Sequence, residues 1–240
     1  MLYLKERKKS DNMVKNHLKT ITAPKTWPVK RKGTKFLLRP NCGPHRMKDA
    51  VSLNFLLINM LEITKTKKES KYLLHKKQVE INGKRRKDIA FPVGIFDVLH
   101  IRDIDKSFRI KIDSRGKLGA DEIDKKEAGL KPYKIAGKSL SGKKIQLNFL
   151  DGSNMLVDKD NYKVGDSLVI AFKDSSIKEH IALKKGNLIF LTAGRHRGST
   201  GKIEDIIGKK IIYRINKEIH ETSKDYAFAI GKDKPVIKID

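Results

Sequence analysis

Apolar residues recur with a helical period in one short region of this chain, and from about residue 108 that period gives way to alternation. Leu53, Leu56, Leu57, Met60 and Leu61 fall at i, i+3, i+4, i+7 and i+8, the stripe of an amphipathic helix. Phe55 and Ile58 widen the stripe, which predicts a well-buried helix. A second helix starts at Thr66-Lys67-Lys68-Glu69, a capping-box pattern, with Leu73 and Leu74 on its core side and Ser70 on the same face. Beyond it, Phe108, Ile110 and Ile112 alternate, as do Ile145, Leu147 and Phe149. Asp151-Gly152 and Val164-Gly165-Asp166 mark turns, and Ser167–Ala171 reads as the next strand. The runs LIFLTAG, KIEDII, KKIIYRI, YAFAI and VIKI continue the β style to the C-terminus. Short strands at close spacing predict small β-barrels. The fold class expected is α+β and multidomain.

Between the two regimes lies QVEINGKRRKD (78–88). Val79 and Ile81 share one face of a strand, and Asn82-Gly83 is the strongest short-range hairpin signal. Lys84, Arg85, Arg86 and Lys87 follow directly, and Val98–Ile101 supplies a further strand. Residues before 44 read as an extended basic arm, because Pro24, Pro28, Pro40 and Pro44 break any long helix or central strand. One strand-like run, Lys35 to Arg39, interrupts it. The expected organisation is an arm at 1–43, a two-helix-plus-hairpin module at 44–107, a β domain at 108–186 and a second small barrel at 187–240. Residues 1–12 look like unstructured charge, and Met13 is a candidate start.

Apolar residues make up 38% of the chain and charged residues 34%, which favours several modest cores over one large one. The net charge is +26. Residues 1–40 carry 12 basic against 2 acidic side chains, and each later segment is basic as well. Such a surface repels itself unless a polyanion lies against it. No apolar run approaches the roughly 18–20 residues of a membrane span, and the N-terminus lacks a signal-peptide core. The single cysteine, Cys42, excludes an internal disulfide and suits a reducing cytoplasm. Nucleic acid is the partner expected, with no membrane and no small-molecule substrate.

The candidate contacts are basic. Lys67, Lys71 and His75 recur every four residues on the second helix, with Lys68 beside them, and they precede Lys84–Lys87 in one compact unit. The arm offers Lys25, Lys30, Arg31, Lys32 and Lys35, and Arg46 follows it. Trp27 suits either anchoring the arm or stacking on a base. Near the C-terminus, Gly194, Gly198 and Gly201 surround Arg195, His196 and Arg197, and Lys202 opens the next strand. Other chemistry finds little support. Gly137-Lys138-Ser139 lacks the upstream glycine of a phosphate loop, Pro132 standing in its place. Cys42 and His45 are spaced as half a zinc site without a second half. Asp97 or Asp103 could serve an RNA-modifying enzyme, but the region after 108 reads as small barrels rather than a catalytic domain. No cofactor is expected.

Residues 66–84 resemble the helix–hairpin RNA-binding module first known from small-subunit ribosomal protein four, which occurs also in pseudouridine synthases and tyrosyl-tRNA synthetases. LIFLTAGRHRGSTGKIEDI (188–206) resembles the KOW motif of ribosomal and transcription-elongation proteins. With HLKTITAPKTWPVKRKGTKF (17–36), PNCGPH (40–45), IQLNFLDGSN (145–154) and YKVGDSLVI (162–170), the order of motifs is similar to the archaeal and eukaryotic "e"-type ribosomal protein four of the small subunit, from about residue 14 onward. Cys42 departs from a common proline and Ala193 from a frequent glycine. The C-terminus shows no eukaryote-style extension, which points to an archaeal form. The resemblance implies a non-enzymatic, cytoplasmic ribosomal constituent contacting ribosomal RNA and neighbouring ribosomal proteins. An RNA-modifying enzyme or a transient translation or transcription factor is the alternative. The arm, with too little apolar surface to fold alone, is expected to order on binding.

Overall fold

The computed structural model describes residues 17–30, 32–76, 79–216, 218–232 and 234–238. Arg31 and the proposed start at Met13 lie outside them. Strands dominate and helices are few and short, and several separate sheets make an α+β fold. No helix among the described residues is long and apolar enough to cross a membrane.

The described part of the arm is folded onto the rest of the chain. Strand β1 (His17–Lys19) pairs antiparallel with β2 (Phe36–Leu38). Leu18 and Trp27 are buried in the main core, with Val29, Leu37 and Leu38 packed against it. These five apolar residues are the reason a segment read as free basic chain is held in place.

Strand β3 (Ala50–Ser52) leads into α1 (Leu53–Phe55), whose cap is Ser52 Oγ accepting from Phe55 N at 3.3 Å. The regular helix predicted over 53–61 is not what forms. After one α turn the backbone widens into a π turn at Leu56–Met60 and reverses at Glu62, φ 53°. The apolar reading holds, since Leu53, Phe55, Leu56 and Leu57 are all buried. Helix α2 (Lys67–Lys76) starts as its capping signal predicts. Thr66 Oγ1 accepts from Glu69 N at 3.2 Å, and the Glu69 carboxylate reaches back to Lys65 N at 2.9 Å. Thr66→Ala should therefore cost about 1 kcal/mol in urea unfolding; an unchanged midpoint would deny the cap its role.

The hairpin follows as β4 (Val79–Ile81) and β5 (Lys84–Arg85). Strand β6 (Pro92–Gly94) returns to pair with β3. Then β7 (Val98–Ile101), β8 (Lys106–Ile112) and β9 (Leu118–Ile123) complete a five-stranded sheet in the order β5-β4-β7-β8-β9. The boundary expected at 107 falls inside β8. The alternation Phe108, Ile110, Ile112 is real, but register places Leu99 opposite Phe108, so these residues continue the hairpin's sheet.

After the short helix α3 (Lys125–Ala128), β10 (Leu130–Ser141), β11 (Lys144–Phe149), β12 (Asn154–Val157), β13 (Ser167–Ala171) and β14 (Ile177–Ile181) form a sheet in the order β12-β11-β10-β13-β14. The first half of β10 pairs with β13 and the second with β11, with a register shift between Ile135 and Gly137. The last sheet joins β15 (Leu188–Leu191), β16 (Thr200–Ile207), β17 (Lys210–Ile215), β18 (Glu218–Ser223) and β19 (Ala227–Gly231) in the order β18-β17-β16-β15-β19. Each later sheet has its own small core, around Leu147 and Ile189 respectively. The largest cluster crosses between units: Phe96 meets Phe190 at 5.4 Å and Phe228 at 4.9 Å.

Candidate nucleic-acid interface

The hairpin turn needs two left-handed residues, and Asn82 (φ 52°) and Gly83 (φ 71°) supply them. Arg85 Nη2 donates to the carbonyl of His75 at 2.9 Å, which closes the hairpin on the C-terminal end of α2. Ser70, Leu73 and Leu74 hold that helix to the core. Its other face carries Lys67, Lys68, Lys71 and His75, all exposed, and Lys84, Arg85 and Lys87 are exposed beside its end. The two clusters singled out in the sequence thus form one surface. Arg86 does not join it in the same way. Its guanidinium lies 4.4 Å from the Phe91 ring centroid and its Nε is buried, so it packs as much as it presents charge.

Of the arm residues, Lys25, Lys30, Lys32 and Lys35 are exposed, as is Arg46. Trp27 is not available to stack on a base. It is 2% exposed, its ring lies 5.2 Å from Phe55, and its Nε1–H donates to the carbonyl of Met47 at 3.2 Å. Anchoring is the outcome, because burying an indole against the first unit's core outweighs displaying it.

The loop after β15 divides likewise. Gly194 and Gly198 are left-handed, φ 92° and 89°. Gly198 packs so tightly on the β8–β9 turn that a Cβ there would sit 2.2 Å from the carbonyl oxygen of Asp113. Arg195 and Lys202 are exposed. His196 is half-buried with its ring 4.2 Å from that of His220. Arg197 turns inward, Nη2 meeting Asp49 Oδ1 at 3.0 Å. It is a clasp between units rather than a displayed cation, because docking Gly198 leaves the preceding side chain facing the protein.

Sequence reasoning missed a buried polar network behind the hairpin. Asp97 is fully buried and accepts from His45 Nε2 (2.9 Å), Asn82 Nδ2 (2.7 Å), Gly94 N (2.8 Å) and Lys131 Nζ (2.7 Å). Lys131 also meets Asp151 at 2.8 Å. Burial opposes the charge on Asp97, but Lys131 and His45 outweigh it and hold the carboxyl far below its usual range. Burial likewise opposes the charge on Lys131, and Asp97 with Asp151 raises it above the lysine range. Lys134, from the same strand, donates to the carbonyls of Lys224 (2.9 Å), Asp225 (2.8 Å) and Ala227 (2.7 Å). Burial pushes its amine down to about 8. A signal was present: Lys131 and Lys134 stand in an otherwise apolar strand, KPYKIA, where a lysine needs a partner. These lysines line a cavity of about 560 Å³ between the units, yet Lys134 has three acceptors and Lys131 two carboxylates, and Asp97 has four donors. None is poised to transfer a proton. The carboxylate considered for catalysis is thus committed to holding units together.

Comparison with known proteins places this architecture. The model of the ribosomal family S4e matches residues 104–177, and that of the RS4NT (NUC023) domain matches residues 14–48. The chain is 36% identical over 237 residues to the small ribosomal subunit protein eS4 of Archaeoglobus fulgidus, covering 95% of this chain and 99% of that protein. It is 35% identical to the eS4 of Methanosphaera stadtmanae, covering 94% and 96% respectively. The crystal structure of the 30S ribosomal protein S4e from Thermoplasma acidophilum superposes with a TM-score of 0.68 at 30% identity, covering 77% of this chain and 96% of that one.

Proposed function

The chain belongs to the ribosomal S4e family, and from that premise we propose that it grips and braces ribosomal RNA through lysine and arginine contacts to phosphate. It is a structural constituent of the small ribosomal subunit and not an enzyme. The single observation that carries the mode of binding is the closure of the hairpin on α2 by Arg85 and the His75 carbonyl, which makes one continuous basic surface of Lys67, Lys68, Lys71, Lys84, Arg85 and Lys87. A row of cations on one surface matches the phosphates of a folded RNA and reads its shape rather than its base sequence. Lys25, Lys30, Arg31, Lys32, Lys35 and Arg46 extend the grip along the arm, and Arg195, His196 and Lys202 form a second contact on a KOW-type barrel. The helix–hairpin unit runs to Ile123, the central β unit to about residue 182 and the last barrel onward from there. Neighbouring ribosomal proteins meet the remaining surface, and the ribosome of an archaeal cytoplasm is its place.

Fractionation tests this reading. The protein should sediment with small subunits and stay with them through a high-salt wash, as a buried constituent does and a transient factor does not. Clean release at moderate salt would overturn it.

A further inference from the structure

Tyr72 lies on the outer face of α2, beside Lys68. The core residues Ser70, Leu73 and Leu74 point inward, and at 100° per residue Tyr72 lies nearly opposite their mean direction. Lys68 and Lys76 stand one turn to either side of it, and His75 is its i+3 neighbour. It is 61% exposed, more than any other tyrosine, tryptophan or phenylalanine among the described residues. The other exposed rings are engaged: Phe36 meets His17 at 5.6 Å and lies under Lys35, and Tyr226 backs onto Gly194. A large ring flanked by cations, on a helix that gains nothing from its exposure, presents both a π-face and the charges that draw a phosphate backbone to it.

We propose that Tyr72 is a stacking platform for one unpaired base of the bound RNA, the single-stranded nucleotide being held by its flanking phosphates on Lys68 and Lys76. A base in a continuous duplex cannot reach a side chain this way, whereas a bulged or splayed base can. The inference rests on α2 facing RNA, as proposed above. It also supplies the aromatic contact that Trp27, being buried, cannot make.

The test measures binding of the full chain to a transcript of archaeal small-subunit ribosomal RNA over a range of salt. Tyr72→Ala should weaken binding about 5- to 150-fold with the salt slope unchanged, because stacking releases no counterion. Tyr72→Phe should restore it. The alanine variant folds, since the site is exposed and alanine is the better helix former. Unchanged affinity, or a phenylalanine variant as weak as the alanine one, would overturn the platform; the former would leave the ring to a protein neighbour. Lys84→Glu with Arg85→Glu separates the two readings. If that pair weakens binding while Tyr72→Ala does not, the phosphate grip stands and the platform falls. If neither variant has an effect, α2 does not face RNA and both fall.

Discussion

Asp97→Ala lowers stability by about 3–5 kcal/mol at neutral pH, the loss expected when one partner of a buried, hydrogen-bonded ion pair is removed. The substitution strands three donors besides Lys131: the Asn82 amide, the Gly94 N–H and the His45 ring. Lys131 keeps Asp151, which limits the damage and keeps the estimate below complete unfolding. Urea denaturation gives the number, and a change under about 1 kcal/mol would sink the claim that this network holds the units. The pH dependence has a definite sign. The folded carboxyl titrates far below its ordinary 3.8, so its contribution is complete above that value and is lost as pH falls below it. Lys131, raised above its ordinary 10.5, contributes in full below that value and loses its contribution as pH rises past it. The wild type should therefore shed stability in acid below about pH 4, and Asp97→Ala should show a shallower loss there.

Replacing Lys84, Arg85 and Lys87 with glutamate together lowers affinity for small-subunit ribosomal RNA by about a hundredfold or more at physiological salt, and flattens the salt dependence by about 2–3 in log–log slope. All three are exposed, so the variant keeps its fold, apart from the bond from Arg85 to the end of α2. Arg86 is left out on structural grounds. Seated on Phe91 with Nε buried, it would confound a binding loss with a packing loss. A filter-binding titration over several salt concentrations decides the matter. Undiminished affinity would reduce the cluster to a charged sheet edge of the kind that deters edge pairing.

How much of this was legible depended on the range of the interaction. Local chemistry read correctly: the Asn82-Gly83 turn, the Thr66 cap, the buried Ser70 and the later strands up to YAFAI are determined by residues within a few positions of each other, whereas VIKI forms no strand among the described residues. The winding of 53–61 was not legible, because the same apolar stripe suits an α or a π turn. The join of β8 to β7 was missed because alternation marks a strand without naming its partner. Trp27 was left open between anchoring and stacking, and Arg197 was read as a displayed contact, for a related reason. A tryptophan in a basic arm and an arginine in a glycine loop carry no local sign of Phe55 or Asp49, which lie far away in the sequence. Asp97 is the instructive case. The sequence offered it only beside Asp103 as an acid an enzyme could use, because its four donors come from residues 45, 82, 94 and 131.

The clasp of Arg197 on Asp49, the docking of Gly198 on the Asp113 turn and the three carbonyls gathered by Lys134 have a joint consequence for recognition. They fix the distance between the hairpin at 82–87 and the loop at 194–198, so the two RNA contacts proposed above would act as a ruler with a grip at each end. An RNA whose phosphate ridges match that span meets the second grip at a high effective concentration once the first is made. An RNA of any other span is held at one end only. Discrimination between folded RNAs can thus reside in a length, with no base edge read.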